Sequence, residues 1–379
     1  MRCKKMGGGS KYCKELPEGC VYCERGSKMV LLVTGKCGKG CFYCPISEEK
    51  TGKDVVYADE WPVFDGMGDP LSKKTLDGIF TEGYLIDAEG TGITGGDPMI
   101  VPERTTAYIR KLKEAFGKGH HIHLYTAALF DAKWLAELED AGLDEIRFHP
   151  SPEYWGNMKE SRHDALIRAA LKTGMDVGAE VPSLPDFAEQ LLSLAEYLES
   201  VGAKFLNLNE LEFASTNEKA LHARGYAPKS DISAAVAGSG DAALRVIKQF
   251  YKKHRGASLA IHYCSAGFKD GIQLRRRLAR RAKNVAKPYE MATGEGTLLK
   301  GVIKVAGAGC SAGMGLLREL AESYDVPTEL MNLIEDRIEI APWVLNEIAG
   351  DLAASGHTCY ISECYPTWDG LEVERIPLA

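Results

Sequence analysis

The 379-residue sequence has no apolar run approaching the roughly 20 residues that cross a bilayer. Its opening residues, MRCKKMGGGS, place no apolar stretch behind their charges. A secretory signal is therefore not expected, and a cytoplasmic location without membrane attachment is. Positive charge is not in excess: 46 Lys and Arg stand against 53 Asp and Glu, which argues against wholesale nucleic-acid binding. Low-complexity tracts are missing, and with 45% hydrophobic and 26% charged residues the chain is not disordered as a whole. The glycines from Gly35 to Gly40 lack the Gly-Lys-Ser/Thr ending of a P-loop. The stretch Ala306 to Gly313 has G-x-G-x-x-x-G spacing, and no clear acid follows a second strand, so a dinucleotide site is not expected there.

Cysteine, by contrast, is abundant. There are 11, an odd number, so they cannot all pair within the chain. Seven fall in the first 44 residues: Cys3, Cys13, Cys20, Cys23, Cys37, Cys41 and Cys44. Clumped thiols in a chain with no sign of secretion point to metal or redox chemistry.

Along the chain, apolar runs at 27–37, 90–95, 120–126, 143–149, 175–181, 204–213 and 258–264 alternate with helical patterns at 105–115, 132–141, 164–172 and 187–198. This alternation predicts an α/β architecture: a partial or full (β/α) barrel with parallel strands. The small-residue stretch 235–241 reads as a loop or linker. After Lys287 the texture changes to short strands at 297–307, 336–342, 357–364 and 371–377, with helices near 314–323 and 343–354. The expected organisation is a cysteine-rich metal-binding segment (1–26), a barrel (27–287) and a small C-terminal α+β domain (288–379).

The most specific motif is Cys37-Gly-Lys-Gly-Cys41-Phe-Tyr-Cys44. Three closely spaced thiolates can hold three irons of a [4Fe–4S] cube, whereas four-cysteine ligation is the norm. Three ligands leave one iron open, by the logic of a catalytic metal one ligand short. The loop follows the first strand, so it belongs at the C-terminal mouth of the barrel. The competing reading is a zinc knuckle. One βα unit later comes Thr94-Gly95-Gly96-Asp97-Pro98, whose glycines bare the backbone to a ligand and whose acid can face an ammonium.

With these two motifs in place the chain resembles the radical S-adenosylmethionine (SAM) superfamily. The spacing, Tyr43 before the last cysteine and the position after strand one all match. The resemblance implies a cluster on Cys37, Cys41 and Cys44 that binds SAM and cleaves it reductively to a 5′-deoxyadenosyl radical. It implies SAM contacts from Tyr43, Gly95, Gly96 and Asp97. The acid departs from the family, which has glutamate there. By position, Arg147, Glu180 and Asn207 resemble mid-barrel contacts to the SAM carboxylate and ribose. The stretches TGKCGKGCFYCP, GITGGDP, HLYT, AGLDEIRFHP and NLNELEF resemble an archaeal group related to pyruvate formate-lyase activating enzymes. That resemblance implies a protein or peptide substrate and a reductant such as ferredoxin or flavodoxin. Some relatives in methanogens methylate side chains of methyl-coenzyme M reductase with cobalamin, a glutamine C-methyltransferase among them. C-methylation with cobalamin is therefore the specific reaction it suggests, although no residue here marks a cobalamin ligand.

Other residues extend the reading. Side chains on a strand alternate faces, so polar residues opposite apolar ones point into the barrel. Among these, Glu210, His149 and His262 are the candidate catalytic residues on the substrate side. Cys20-Val-Tyr-Cys23 reads as a metal-type C-x2-C hairpin, and with Cys3 and Cys13 it makes a set of four for zinc or iron at the barrel bottom. Cys264, Cys310, Cys359 and Cys364 are either auxiliary-cluster ligands, Cys359 and Cys364 as a pair, or buried free thiols. The run from Lys269 to Lys287 carries eight basic residues and one acid. It reads as a solvated helix or as a contact for RNA or an acidic protein. A tRNA-modifying enzyme and a non-catalytic metal-binding protein remain the rivals.

Overall fold

The computed structural model describes residues 3–306 and 310–378, the side chain of Cys310 excepted. Gly307 to Gly309, three residues of the glycine-rich stretch discussed above, lie outside it. The chain forms two compact units, Met1–Tyr84 with Ala88–Leu274 and Leu85–Asp87 with Arg275–Ala379.

The first unit is built on seven parallel strands: β1 (Lys28–Leu32), β2 (Gly90–Thr94), β3 (His121–Thr126), β4 (Glu145–Phe148), β5 (Asp176–Ser183), β6 (Phe205–Glu210) and β7 (Ala260–Cys264). They lie side by side in chain order, so each connection is a crossover to the neighbouring strand. Two short antiparallel strands flank β1, and two from the N-terminus flank β7, the nearer being Lys11–Cys13. The result is an open, partial barrel. Apolar residues on one face of each strand, such as Ile146 and Phe148 of β4, are fully buried beneath the helices α3 (Pro102–Phe116), α4 (Lys133–Ala141), α5 (His163–Ala170), α6 (Ala188–Val201) and α7 (Ser239–Lys253). The residues 235–241 are not a linker. They end a short hairpin and begin α7, with Gly238 at φ 81° just before the helix.

The sequence around Cys20 departs from its expected hairpin. It is a helix, α1 (Glu18–Arg25), closed by Gly26 in the left-handed region at φ 69°. This helix packs against β1, β2 and β3, and its Cys20 also touches Arg147 of β4 and Asn207 of β6. One short helix can meet both halves of the sheet only if the sheet curls around it. Gly19 makes this possible: a Cβ there would lie 2.4 Å from His123 Nδ1. Tyr22 of α1 lies against Gly90 and His121, the first residues of β2 and β3, while Gly19 and Cys20 reach His123 and Arg147 further along, so α1 fills the lumen from its N-terminal side.

The second unit carries the antiparallel sheet of β8 (Leu298–Lys304), β9 (Met331–Ile334), β10 (Arg337–Ile340), β11 (Thr358–Cys364) and β12 (Glu372–Pro377). Its order is β9-β10-β8-β11-β12, with α9 (Cys310–Ser323) and α10 (Pro342–Ala354) supplying Leu316, Leu320, Leu345 and Leu352 to a core against one face. Cys359 lies in that core, while Cys364 is beside Ser362 on the other face. The expected ligand pair Cys359 and Cys364 is therefore not formed: five positions apart on a strand, they point opposite ways. The basic helix α8 (Arg275–Val285) also belongs to this unit. Arg280 donates to the carbonyl of Ile86 at 2.7 Å, and buried Arg281 donates to that of Pro366, which takes Arg281 out of a basic surface. Among the described residues, no helix is long and apolar enough to cross a membrane.

Candidate functional site

The chain leaves β1 at Leu32, five residues before Cys37, and turns over the C-terminal edge of the sheet. Its root is tied down on every side. Val33 N donates to Thr94 O (2.9 Å), Gly96 N to Thr34 O (2.7 Å) and Asp97 N to Lys36 O (2.8 Å). Arg104 of α3 grips the Asp54 carboxylate with both terminal nitrogens, at 2.6 and 3.0 Å, and donates to Val33 O. That fork holds the Asp54 carboxyl well below the usual carboxylate range. Gly96 is glycine because the two segments touch: a Cβ there would lie 2.3 Å from Lys36 O and 2.5 Å from Gly35 O. Substituting Gly96→Ala is expected to displace the loop root and abolish stable cluster loading, read as iron content after reconstitution. Wild-type iron content in Gly96→Ala would contradict this.

Above this root lie the three cysteines, Cys37 exposed and Cys41 and Cys44 half-buried. Tyr43 is buried between them and the barrel, its Oη 2.9 Å from His149 Nε2. Asn217 donates to Tyr43 O and Thr216 to Cys44 O. The Arg224 guanidinium lies 3.8 Å from the Phe42 ring centroid. Burial raises each of the three thiols, and each is raised further by the charge of another of the three. The thiols are therefore near one another, though among the described residues no three Cys, His, Asp or Glu side chains stand ready at metal-ligand positions. The donor set suits a [4Fe–4S] cube with one open iron: three soft sulfurs on one short loop. No donor among the described residues reaches the carbonyls of Gly95 or Gly96, so both can accept from an ammonium.

Asp97 does something else. Its carboxylate accepts from Met99 N (2.9 Å), Thr126 Oγ1 (2.9 Å), Ala127 N (2.6 Å) and Ala128 N (2.8 Å). Burial raises its pKa against those four donors. The expected role of facing the SAM amino group is not what this side chain does. One methylene shorter than glutamate, it folds back to fix the turn after β3.

The mid-barrel residues also differ from expectation. Arg147 is 1% exposed and paired with Glu145 and, at 2.6 Å, with Glu180. Glu180 further accepts from Asn207 (2.9 Å) and Asn209 (2.8 Å). Against burial, which alone would raise it, Arg147 and the two amides bring Glu180 to about 2. Arg147 is thus already neutralised, and it reaches down toward α1 rather than up to the cysteine loop. Of the three candidate catalytic residues, only His149 touches that loop, and both its ring nitrogens are engaged, with Tyr43 and with Glu180 O. Glu210 is buried at the end of β6, accepting from Ala266 N and paired with Lys229. His262 is deep in the lumen. The three do not converge. The Asp54–Arg104 clamp was not anticipated: its partners are 50 positions apart, and neither has a distinctive neighbourhood.

The buried histidines give the unit a pH dependence. Burial holds His120 near 4 and lowers His123, His149, His163 and His262 as well. These groups bind protons more readily when the chain unfolds, so their contribution is full above about 6.5 and is lost as pH falls toward 4. Glu180 has the same sign lower down, losing its contribution between its ordinary value of 4.5 and about 2. His120 alone accounts for about 2 kcal/mol by pH 5. The melting temperature is expected to fall by several degrees from pH 7 to pH 5. A flat profile over that range would contradict the neutral, buried histidines.

Comparison with known proteins places these features. Residues 31–153 match the radical SAM superfamily, and residues 296–378 match a domain of unknown function. A protein of Methanocaldococcus jannaschii, provisionally named a glycyl-radical enzyme activating enzyme, is 39% identical over 97% of this chain and 95% of its own. Among solved structures, SuiB of Streptococcus suis bound to the precursor peptide SuiA gives a TM-score of 0.43 at 12% identity, covering 64% of this chain and 50% of that one. Methylornithine synthase (PylB) gives 0.39 at 12% identity, covering 63% and 71%. The hydrogenase maturase HydG of Carboxydothermus hydrogenoformans gives 0.38 at 16% identity, covering 59% and 52%.

Proposed function

The chain belongs to the radical SAM superfamily, and from that premise we propose that it functionalises a C–H bond on a protein or peptide side chain. Cys37, Cys41 and Cys44 would hold a [4Fe–4S] cluster, which with SAM would supply the 5′-deoxyadenosyl radical. The protein's part is to bind, orient and exclude water. The Gly95 and Gly96 carbonyls, which no donor among the described residues reaches, would accept from the SAM ammonium. The Arg104–Asp54 clamp and the Tyr43–His149 contact hold the loop, and the buried barrel wall shields what lies beneath it.

The observation that carries this reading is the loop itself: three thiols stapled by Gly96 and Asp97 to the mouth of a parallel barrel. The protein substrate is supported by a near full-length relative whose name makes another enzyme its target. Cobalamin-dependent C-methylation is the finer reaction we propose, and a ferredoxin or flavodoxin the electron source.

The test uses reconstituted protein, dithionite, SAM and an extract of deuterated cells. Deuterium is expected in 5′-deoxyadenosine, lost when the extract is treated with protease and kept after ribonuclease. Loss with ribonuclease alone would overturn the protein substrate in favour of tRNA. Methyl-labelled SAM with added cobalamin is expected to label protein. Radical formation without that label would overturn the methylation step only.

A further inference from the structure

The set of four N-terminal cysteines is not assembled. Cys3 is bonded to Cys13. Cys13 also lies opposite Ile261 of β7, and opposed residues share a face. Ile261 and Tyr263 face outward, the Tyr263 hydroxyl lying against Gly240 of α7, so Cys13 is on the outside of the barrel. Cys20 and Cys23 are inside. They are one helical turn apart on α1, on one face of it.

What they face is a set of donors without partners. Cys20 Sγ is 3.3 Å from Asn207 Nδ2 and 3.5 Å from Arg147 Nη1. Asn207 is paired in register with His262 on β7, and Asn209 with Cys264. His262 and Cys264 therefore stand one strand over from the side chain that Cys20 touches, on the same inward face. Cys264 is buried on that face two residues beyond His262; as the described residues stand no three of these donors are at metal-ligand positions, so an ion would draw them together. His262 is 1% exposed, and neither of its ring nitrogens has a hydrogen-bond partner. Asn207 Oδ1, on the neighbouring strand, is orphaned too, as is His123 Nδ1, which faces Gly19 of α1. A buried polar atom left unpaired is costly, so a lumen with this many is arranged to receive something.

We propose that Cys20, Cys23, Cys264 and His262 bind a single zinc or iron ion in the lumen of the barrel. Thiolate and imidazole donors select these metals over magnesium or calcium. The ring nitrogen of His262 supplies the imidazole, and Cys20 exchanges its contacts with Arg147 and Asn207 for the metal. Lys28 brings positive charge into the same lumen, 3.4 Å from His123 Nε2 and 3.3 Å from the Tyr125 hydroxyl. The site lies in the lumen below the cysteine loop, with Cys264 the last residue of β7 and His262 two residues earlier. Its role is to fasten α1 into the lumen, and it stands whether or not the chain cleaves SAM.

The test is an anaerobic titration of the full chain with cobalt(II), in a Cys37→Ala/Cys41→Ala/Cys44→Ala background that removes the catalytic cluster. One equivalent is expected to bind, with thiolate-to-cobalt charge-transfer bands and tetrahedral visible bands that zinc displaces. Cys20→Ser, Cys23→Ser, Cys264→Ser and His262→Ala are each expected to weaken binding by about tenfold or more. His262→Cys is expected to keep the metal and strengthen the charge-transfer band, which a merely destabilised protein would not do. Cys3→Ser/Cys13→Ser is expected to bind as the background does. No cobalt binding would overturn the proposal. So would binding that survives the Cys264 and His262 substitutions or depends on Cys3 and Cys13.

Discussion

Replacing Arg147 with methionine is expected to destabilise the barrel by about 3–5 kcal/mol, the loss found when one member of a buried ion pair is removed. Arg147 is 1% exposed and Glu145 fully buried, while Glu180 takes the guanidinium at 2.6 Å. Methionine fills similar space, so lost packing is not the main effect. The damage comes from two carboxylates left in the lumen without their cation. The melting temperature is expected to drop by roughly 10 °C. Adding Glu145→Gln and Glu180→Gln is expected to restore part of it, because each change removes one stranded charge. A melting temperature within two or three degrees of wild type in Arg147→Met (about 1 kcal/mol) would show that the network is not what holds the lumen together.

Replacing Cys41 with alanine is expected to leave the fold intact and remove the chemistry. The cysteine loop carries no core side chain other than Tyr43, and Cys41 is itself half-buried at the barrel mouth. Reconstituted Cys41→Ala is expected to lose a cluster's worth of iron, about four atoms per chain, and to leave SAM intact. Its melting temperature without metal should match that of the wild type. Full iron content with SAM turnover would mean that the ligands lie elsewhere. The same experiment on Cys364→Ala is a control, since that thiol belongs to the other unit.

The architecture was readable because seven short segments, the first a continuous apolar run and others alternating apolar with polar, are interleaved with helical patterns, and these became seven parallel strands. The cysteine triplet was readable because its donors are adjacent in sequence. Gly95 and Gly96 were found as well, but their physical reason is visible only in space. They let β2 lie against the loop root, and a Cβ at Gly96 would meet Lys36 O. What the sequence hid are contacts between distant positions. Asp97 reaches Thr126 to Ala128, and Arg104 reaches Asp54. Strand alternation correctly set Arg147 and Glu180 facing inward, yet it could not say that they would choose each other over a ligand. Cys20 and Cys23 read as a hairpin because C-x2-C commonly is one. Gly19 is the residue that admits a helix to the lumen, and its need is evident only beside His123. Cys359 and Cys364 looked like a pair until the strand register put them on opposite faces.

The central claim is that this loop holds a cluster that cleaves SAM. Wild-type protein reconstituted anaerobically with iron and sulfide, reduced with dithionite and given SAM, should form 5′-deoxyadenosine and methionine in equal amounts. Intact SAM, in a protein that takes up only zinc on Cys37, Cys41 and Cys44, would contradict it and leave a metal-stapled binding protein in its place.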